Sequence, residues 1–416
     1  MVSTLQFLID LFVLLAAAVG AGELAAHFGQ PPLAGQLLVG VLLGPTLIGP
    51  YIGLRSFPSE LVGLQVLATV FVLFLAGLEL SPEQIFRMPP RDMAMGVAVF
   101  TIPFLAAILG AFELLPGLAF TTVLFVALTL SITALPVMGI MLSEFDLTGK
   151  PLGRMLMNAA VINEFAAVTI FAVLLHTGSG SGWTGVGEAL GTVALFLGLM
   201  IGIHFLLQFL RARRKWAPIV RWFRDTWLSK QGGFALLMVL LLASTLLSEA
   251  IGLTYVLGAF YAGLLVTRQS VGRDAHESFS EIFSVISWGF FVPLFFVFVG
   301  VQMNLTLLSA LPAIGLFLAL LAIASGSKIG IGYLAARVDR WRESDALATG
   351  FLLNSRGGVQ LAMAVILLES NLIGETLFTI IAGIGLVTSI IAPIGAVWAW
   401  RWGTRYRANS VRAPHS

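Results

Sequence analysis

The chain has 416 residues, 58% of them hydrophobic and only 11% charged, with a mean hydropathy of +0.98. Soluble domains carry roughly 25% charged residues, so a water-soluble fold is excluded for want of polar surface to cover it. The net charge of +2 comes from basic residues in short gaps between apolar runs, which argues against nucleic acid as a partner, and the absence of cysteine excludes disulfides and thiolate metal clusters.

A hydrocarbon core of about 30 Å takes roughly 20 apolar residues per helix. The first run, Leu5 to Ala26, is too long for a signal-peptide core and lacks both a basic start and a small-residue cleavage site, so it reads as a retained span. Apolar length set against breakers predicts spans at 4–27, 33–49, 60–80, 93–114, 117–142, 152–176 and 186–210. Six more follow at 232–249, 251–267, 282–302, 308–336, 344–368 and 375–400, which makes an all-α polytopic membrane protein of about 13 helices. Gly40 and Gly44 in the second span form a small-xxx-small pair suited to close helix packing.

Lys and Arg in short loops favour the cytoplasmic side. All but Arg55, Lys328 and Arg356 of the 23 basic residues fall in alternate gaps, from Arg87 and Arg91 through Lys150, Arg154, Arg268, Arg273, Arg337, Arg340 and Arg342 to the tail after Arg401. That pattern predicts an N-terminus outside and a C-terminus in the cytoplasm. The richest gap, 211–230, interleaves its charges with Trp216, Trp222, Phe223 and Trp227 and reads as an amphipathic linker on the inner leaflet. The tail, 401–416, is too short for a soluble regulatory domain.

Two spans carry breaks at their centres. In the fifth, Ser131, Ile132, Thr133, Ala134 and Leu135 lead to Pro136, which lacks an N–H and clashes with the carbonyl of Ile132. In the twelfth, Asn354, Ser355, Arg356, Gly357 and Gly358 are disfavoured both by helix propensity and by burial in hydrocarbon. The chain crosses the fifth and twelfth spans in opposite directions, so the segments around them suit an inverted repeat with two discontinuous helices meeting at the midplane. For the fifth span alone, a proline kink repaired by neighbouring groups is the alternative.

The sixth span centres on Asn163 and Glu164 in the apolar stretch AAVINEFAAV. A central ionisable residue costs roughly 2.5–3.5 kcal/mol on insertion scales, so such residues face a pathway or a partner. A carboxylate whose surroundings disfavour its charge holds either a proton or a cation, each displacing the other. A purely structural ion pair with Lys328 or Arg356 is the competing reading. Lys328, in SGSKIG of the eleventh span, is placed to compensate the acid's charge, unless it snorkels to the inner surface. Arg356 keeps its proton and suits the carbonyls of a broken helix. Glu79 and Glu23 lie near cytoplasmic helix ends, where Glu79 is a candidate gating acid.

Taken together, HFGQPPLAGQLLVGVLLGP, LFLAGLEL, ALTLSITALPVMGIML, the Asn163-Glu164 pair, LGAFYAGLLV, FFVPLFFVFVG and the Lys328 to Gly358 region with NSRGG resemble the monovalent cation:proton antiporter superfamily. Within it, the resemblance is to the second family, of plant cation exchangers and bacterial sodium or potassium antiporters. It implies a sodium/proton antiporter-like fold and a homodimer working as an elevator. Residues 1–85 and 231–305 would then form the dimerisation part, and 92–178 and 306–400 the moving core. It also implies that Glu164 is the ion carrier. The family usually places Asp after the polar residue, so Glu164 is longer by one methylene; Gln36 stands where relatives often have Glu. A single acid in the pair implies electroneutral exchange.

The expected function is therefore exchange of Na⁺ or K⁺ for protons across the cell membrane by alternating access. Glu164, Asn163, Ser131 and Thr133 hold the ion, and Lys328 and Arg356 compensate charge. Two rivals keep the fold: a gated K⁺ efflux pathway and a non-transporting membrane sensor. An enzyme is disfavoured because no nucleophile and base pair, metal cluster or phosphate loop is present, and no cofactor is expected.

Overall fold

The computed structural model describes residues 4–52, 61–80, 88–177, 190–196, 198–203, 205, 209, 230–267 and 273–411. In a bilayer every backbone N–H and C=O must find its partner within the protein, and the apolar runs meet that demand as helices; no strand occurs among the described residues. These are α1 (Thr4–His27), α2 (Pro32–Leu43), α3 (Val62–Glu79), α4 (Pro90–Leu114), α5 (Phe120–Ser131), α6 (Leu135–Glu144), α7 (Pro151–Thr177), α8 (Lys230–Ala250) and α9 (Tyr255–Leu265). After them come α10 (Arg273–Ile286), a π-turn at Ser287–Phe291, α11 (Val292–Gln302), α12 (Leu311–Val338), α13 (Glu343–Leu353), α14 (Gly358–Glu369) and α15 (Glu375–Val411).

Among the described residues nine spans are long and apolar enough to cross a membrane, counting α5 with α6 and α13 with α14 as one span each. Shorter apolar helices lie at Pro32–Leu43, Leu190–Ile203, Phe234–Ala250 and Tyr255–Leu265, within or overlapping the other four expected spans. The linker expected at 211–230 lies outside the described residues up to 229.

The chain divides into two units. The first comprises residues 1–61, 87–167 and 296–416. In it α12 buries Leu320, Ala324, Lys328, Gly332 and Ala336, one stripe at four-residue spacing, and turns much of its remaining apolar surface outward. Gly332 on that stripe meets Gly350 of α13 so closely that a Cβ on Gly332 would stand 2.8 Å from the Gly350 Cα. Gly40 and Gly300 bring α2 and the second half of α11 together in the same way, since a Cβ on either glycine would strike the other helix's backbone. At one end of the unit Arg91 forms an ion pair with Asp339 and donates to the Val338 carbonyl, tying the start of α4 to the end of α12.

The second unit comprises residues 62–86 and 168–295. Its centre is aromatic: Phe71 of α3 stacks on Phe291 and Phe283 with ring centroids 3.8 and 5.0 Å away, and Phe74 packs on Phe283 at 4.5 Å. Ser244 of α8 donates to the Gly258 carbonyl of α9 at 2.8 Å. Glu79, the last residue of α3, belongs to this unit and has an exposed side chain.

Candidate functional site

The fifth and twelfth spans are both interrupted. Residues 132–134 separate α5 from α6, with Ile132 (φ −71°, ψ 143°) and Ala134 (φ −82°, ψ 117°) extended. Pro136 sits in the first turn of α6, where its missing N–H costs nothing, so the opening falls just before it. Residues 354–357 separate α13 from α14. Helix α13 packs on α6 and α14 on α5, so the first half of each broken span lies against the second half of the other and the two run antiparallel.

Each break exposes backbone groups that a continuous helix would have satisfied. On the donor side three consecutive amides each find an acceptor: Thr133 N–H on Asn163 Oδ1 at 2.9 Å, Ala134 N–H on the Ser355 carbonyl at 3.1 Å, and Leu135 N–H on Glu164 Oε2 at 3.0 Å. The next residue, Pro136, has no N–H to satisfy. Glu164 is thus placed on the positive end of the α6 dipole, and Asn163 one step before it.

On the acceptor side, the carbonyls ending α5 receive cations. Arg356 Nη1 donates to Leu130 O and, at 3.4 Å, to Thr129 O. Lys328 Nζ donates to Ser131 O and, at 3.1 Å, to Val99 O of α4. Thr133 Oγ1 caps the other broken helix, donating to Leu353 O at 2.8 Å, and Ser389 Oγ of α15 holds the Arg356 carbonyl at 2.8 Å. All these side chains are fully or almost fully buried in the first unit.

The site residues expected from sequence therefore come together around the two breaks, with one exception. Asn163, Glu164, Thr133, Lys328 and Arg356 are joined through the α5–α6 backbone. Ser131 is buried beside them, but its hydroxyl donates back to Leu128 O at 2.8 Å, within its own helix. Glu79 lies in the other unit. Ser389 was not singled out by the sequence, and Asn354 only as part of the break; the only signal for Ser389 is a hydroxyl within the apolar run of α15.

Chemically, the centre holds one acid, Glu164, two bases and a set of neutral oxygens out of contact with the surface. Among the described residues no group of three or more His, Cys, Asp or Glu could hold a multivalent metal. Such a centre is suited to exchanging singly charged species at one carboxylate.

The sequence profile described as "Sodium/hydrogen exchanger, transmembrane" matches residues 13–402. Among curated proteins the chain is similar to the Na(+)/H(+) antiporter NhaS4 of Synechocystis, with 26% identity covering 93% of this chain and 95% of that protein. It is also similar to Cation/H(+) antiporter 20 of Arabidopsis thaliana, 27% identical over 92% of this chain, and spans only 47% of that longer protein. Among solved structures, the sodium proton antiporter MjNhaP1 from Methanocaldococcus jannaschii superposes with a TM-score of 0.62 at 17% identity, over 94% of this chain and 96% of that one, which establishes a shared fold.

Proposed function

The chain belongs to the sodium/hydrogen exchanger family, within the monovalent cation:proton antiporter superfamily, a family of membrane transporters and not of enzymes, and from that premise we propose that it exchanges Na⁺ or K⁺ for protons at Glu164. The observation that carries the reading is the placement of the fully buried carboxyl on the Leu135 N–H, between two broken helices whose other buried polar side chains are neutral or basic. In one state Glu164 holds a proton; in the other its charge, with Asn163 and Thr133, holds the cation. Lys328 and Arg356 keep the α5 carbonyls satisfied through both states and offset the charge of the unloaded acid.

The same reading carries alternating access, one-for-one exchange, an N-terminus outside and a C-terminus in the cytoplasm. The Arg91–Asp339 ion pair supports the orientation, because it joins two helix ends whose neighbouring loops are both rich in basic residues. A homodimer, with 1–85 and 231–305 at the dimerisation side and 92–178 and 306–400 as the moving core, completes the proposal, and Glu79 keeps its place as a gating acid.

Purified protein in liposomes tests it. Adding Na⁺ or K⁺ dissipates an imposed pH gradient, clamping the membrane voltage leaves the rate unchanged, and Glu164→Gln abolishes the response. Equal exchange by the variant, or cation flux without proton counterflow, would overturn the assignment.

A further inference from the structure

Resting on the antiporter reading, we infer that Asn354, which the sequence marked only as part of a helix break, supplies the amide oxygen that completes the shell of the transported cation from the second broken helix. The C-terminal end of α5 is closed to a metal ion. Its last carbonyls, at Thr129, Leu130 and Ser131, already carry Arg356 and Lys328, and a cation brought there would meet two like charges. The cation must instead lie on the donor side of the break, near Glu164, Asn163 and Thr133.

That side is short of oxygen. A dehydrated monovalent cation needs a surrounding set of oxygen dipoles to replace its water. Asn163 Oδ1 and Glu164 Oε2 are each already held by a backbone amide, and Thr133 Oγ1, having given its proton to Leu353 O, offers lone pairs only. One carboxylate, one amide oxygen and one hydroxyl form half a shell at most.

Asn354 belongs to the other break, which is bonded to this one on both sides of it. The residue before it accepts from Thr133 Oγ1 at 2.8 Å and the residue after it accepts from Ala134 N–H at 3.1 Å, so two bonds pin Asn354 alongside Thr133. Its side chain is fully buried, yet neither Oδ1 nor Nδ2 bonds to any protein atom, and the neighbouring Ser355 Oγ is buried in the same condition. An amide buried without partners is costly, and a structural asparagine at a helix end would use its side chain to cap the helix. Asn354 closes α13 through its backbone N–H alone, on Gly350 O at 3.2 Å and Phe351 O at 3.1 Å, and its side chain caps nothing. A ligand that arrives and leaves accounts for an oxygen kept unbonded, and it makes the two broken helices the two jaws of one site.

The test reads cation binding in detergent, as the rise in thermal denaturation temperature with added NaCl or KCl over choline chloride, and exchange in liposomes. For Asn354→Ala we expect at least a tenfold rise in the half-saturating cation concentration, in both assays. Asn354→Asp keeps the oxygen and adds a second titratable ligand; we expect it to bind cation and to steepen the dependence of log affinity on pH from about one proton towards two. Wild-type affinity in Asn354→Ala, or an unchanged pH slope in a folded Asn354→Asp, overturns the assignment while leaving the antiporter reading intact provided Glu164→Gln is inactive. Absence of cation-induced stabilisation and of exchange in the unaltered protein overturns both together.

Discussion

Leu135 N–H donates to Glu164 Oε2 at 3.0 Å, so the acid at the centre of α7 is also the cap of the half-helix α6. The cap sets the carboxyl on the donor end of a half-helix, where the α6 dipole favours negative charge.

The length of that side chain is the first thing to vary. Glu164→Asp draws the carboxyl back by one carbon–carbon bond, ~1.5 Å, out of reach of the Leu135 amide. The acid survives, so exchange continues with weaker cation affinity. The lost cap lowers stability by about 1–2 kcal/mol. Thermal denaturation and gradient dissipation measure the two effects separately, and an Asp variant with full stability would show that the cap contributes nothing.

Thr133 joins the two breaks through its hydroxyl on Leu353 O. Thr133→Val keeps the shape and leaves that buried carbonyl without its donor, a loss of about 1–3 kcal/mol, while Thr133→Ser keeps the bond. The expected order of denaturation temperatures is wild type, then Ser, then Val. If Thr133 is a ligand of the cation, as proposed, the Val variant should also lose affinity beyond what its stability explains.

How much of this was legible in the sequence depends on how each residue announces itself. Pro136 and the run from Asn354 to Gly358 are poor helix formers in spans too long to be loops, so both breaks could be placed to within a few residues. Asn163 and Glu164 stand out as a polar pair in an apolar span. The wiring between them could not be read: Thr133 and Leu135 find partners 30 and 29 residues away, and that pairing depends on helix register. Lys328 shows the limit most clearly. Its stripe of Leu320, Ala324, Gly332 and Ala336 is buried, but the lipid-facing residues of α12 are just as apolar, so no contrast in hydropathy marks which way the lysine points. Ser389 was invisible for a related reason, because a hydroxyl in a membrane helix commonly bonds its own preceding turn; it does so with Gly385 O at 2.8 Å and reaches the Arg356 carbonyl as well.

Lys328 bears on stability as well as charge. Lys328→Met leaves Ser131 O and Val99 O without this donor, and we expect a loss of about 2–3 kcal/mol, seen as a lower denaturation temperature. Lys328→Gln carries a shorter neutral donor and recovers part of that loss. If both variants were as stable as the wild type, the lysine's role would be confined to the ion.

The close approach of α12 and α13 predicts a purely steric effect. A side chain on Gly332 meets the Gly350 backbone at 2.8 Å, nearer than real Cβ atoms come, so Gly332→Val forces the helices apart. Overpacking of this kind costs about 1–3 kcal/mol. Because Lys328 lies one turn before Gly332 on the same buried stripe, the shift also draws its ammonium from the α5 carbonyls. The variant should lose stability, and lose more of it than Gly326→Val, whose Cβ meets open space.

Acid should weaken cation binding through Glu164 in a way that separates competition from damage. Where proton and cation share one carboxyl, each further unit of acidification well below the acid's own midpoint raises the half-saturating cation concentration about tenfold, because proton and cation compete for the same ionised form. The maximal rate at saturating cation changes far less. The exposed Asp146 is a useful contrast. Its hydrogen bond and charge attraction to Lys150, 2.7 Å away, hold its carboxyl below the usual range. Whatever that pair contributes is complete above the carboxyl's unfolded value and is lost only as pH falls through the depressed folded one. Asp146→Asn should leave the pH dependence of exchange where it was, and Glu164→Asp should move it. A pH profile unaltered by Glu164→Asp would mean that some other group carries the proton.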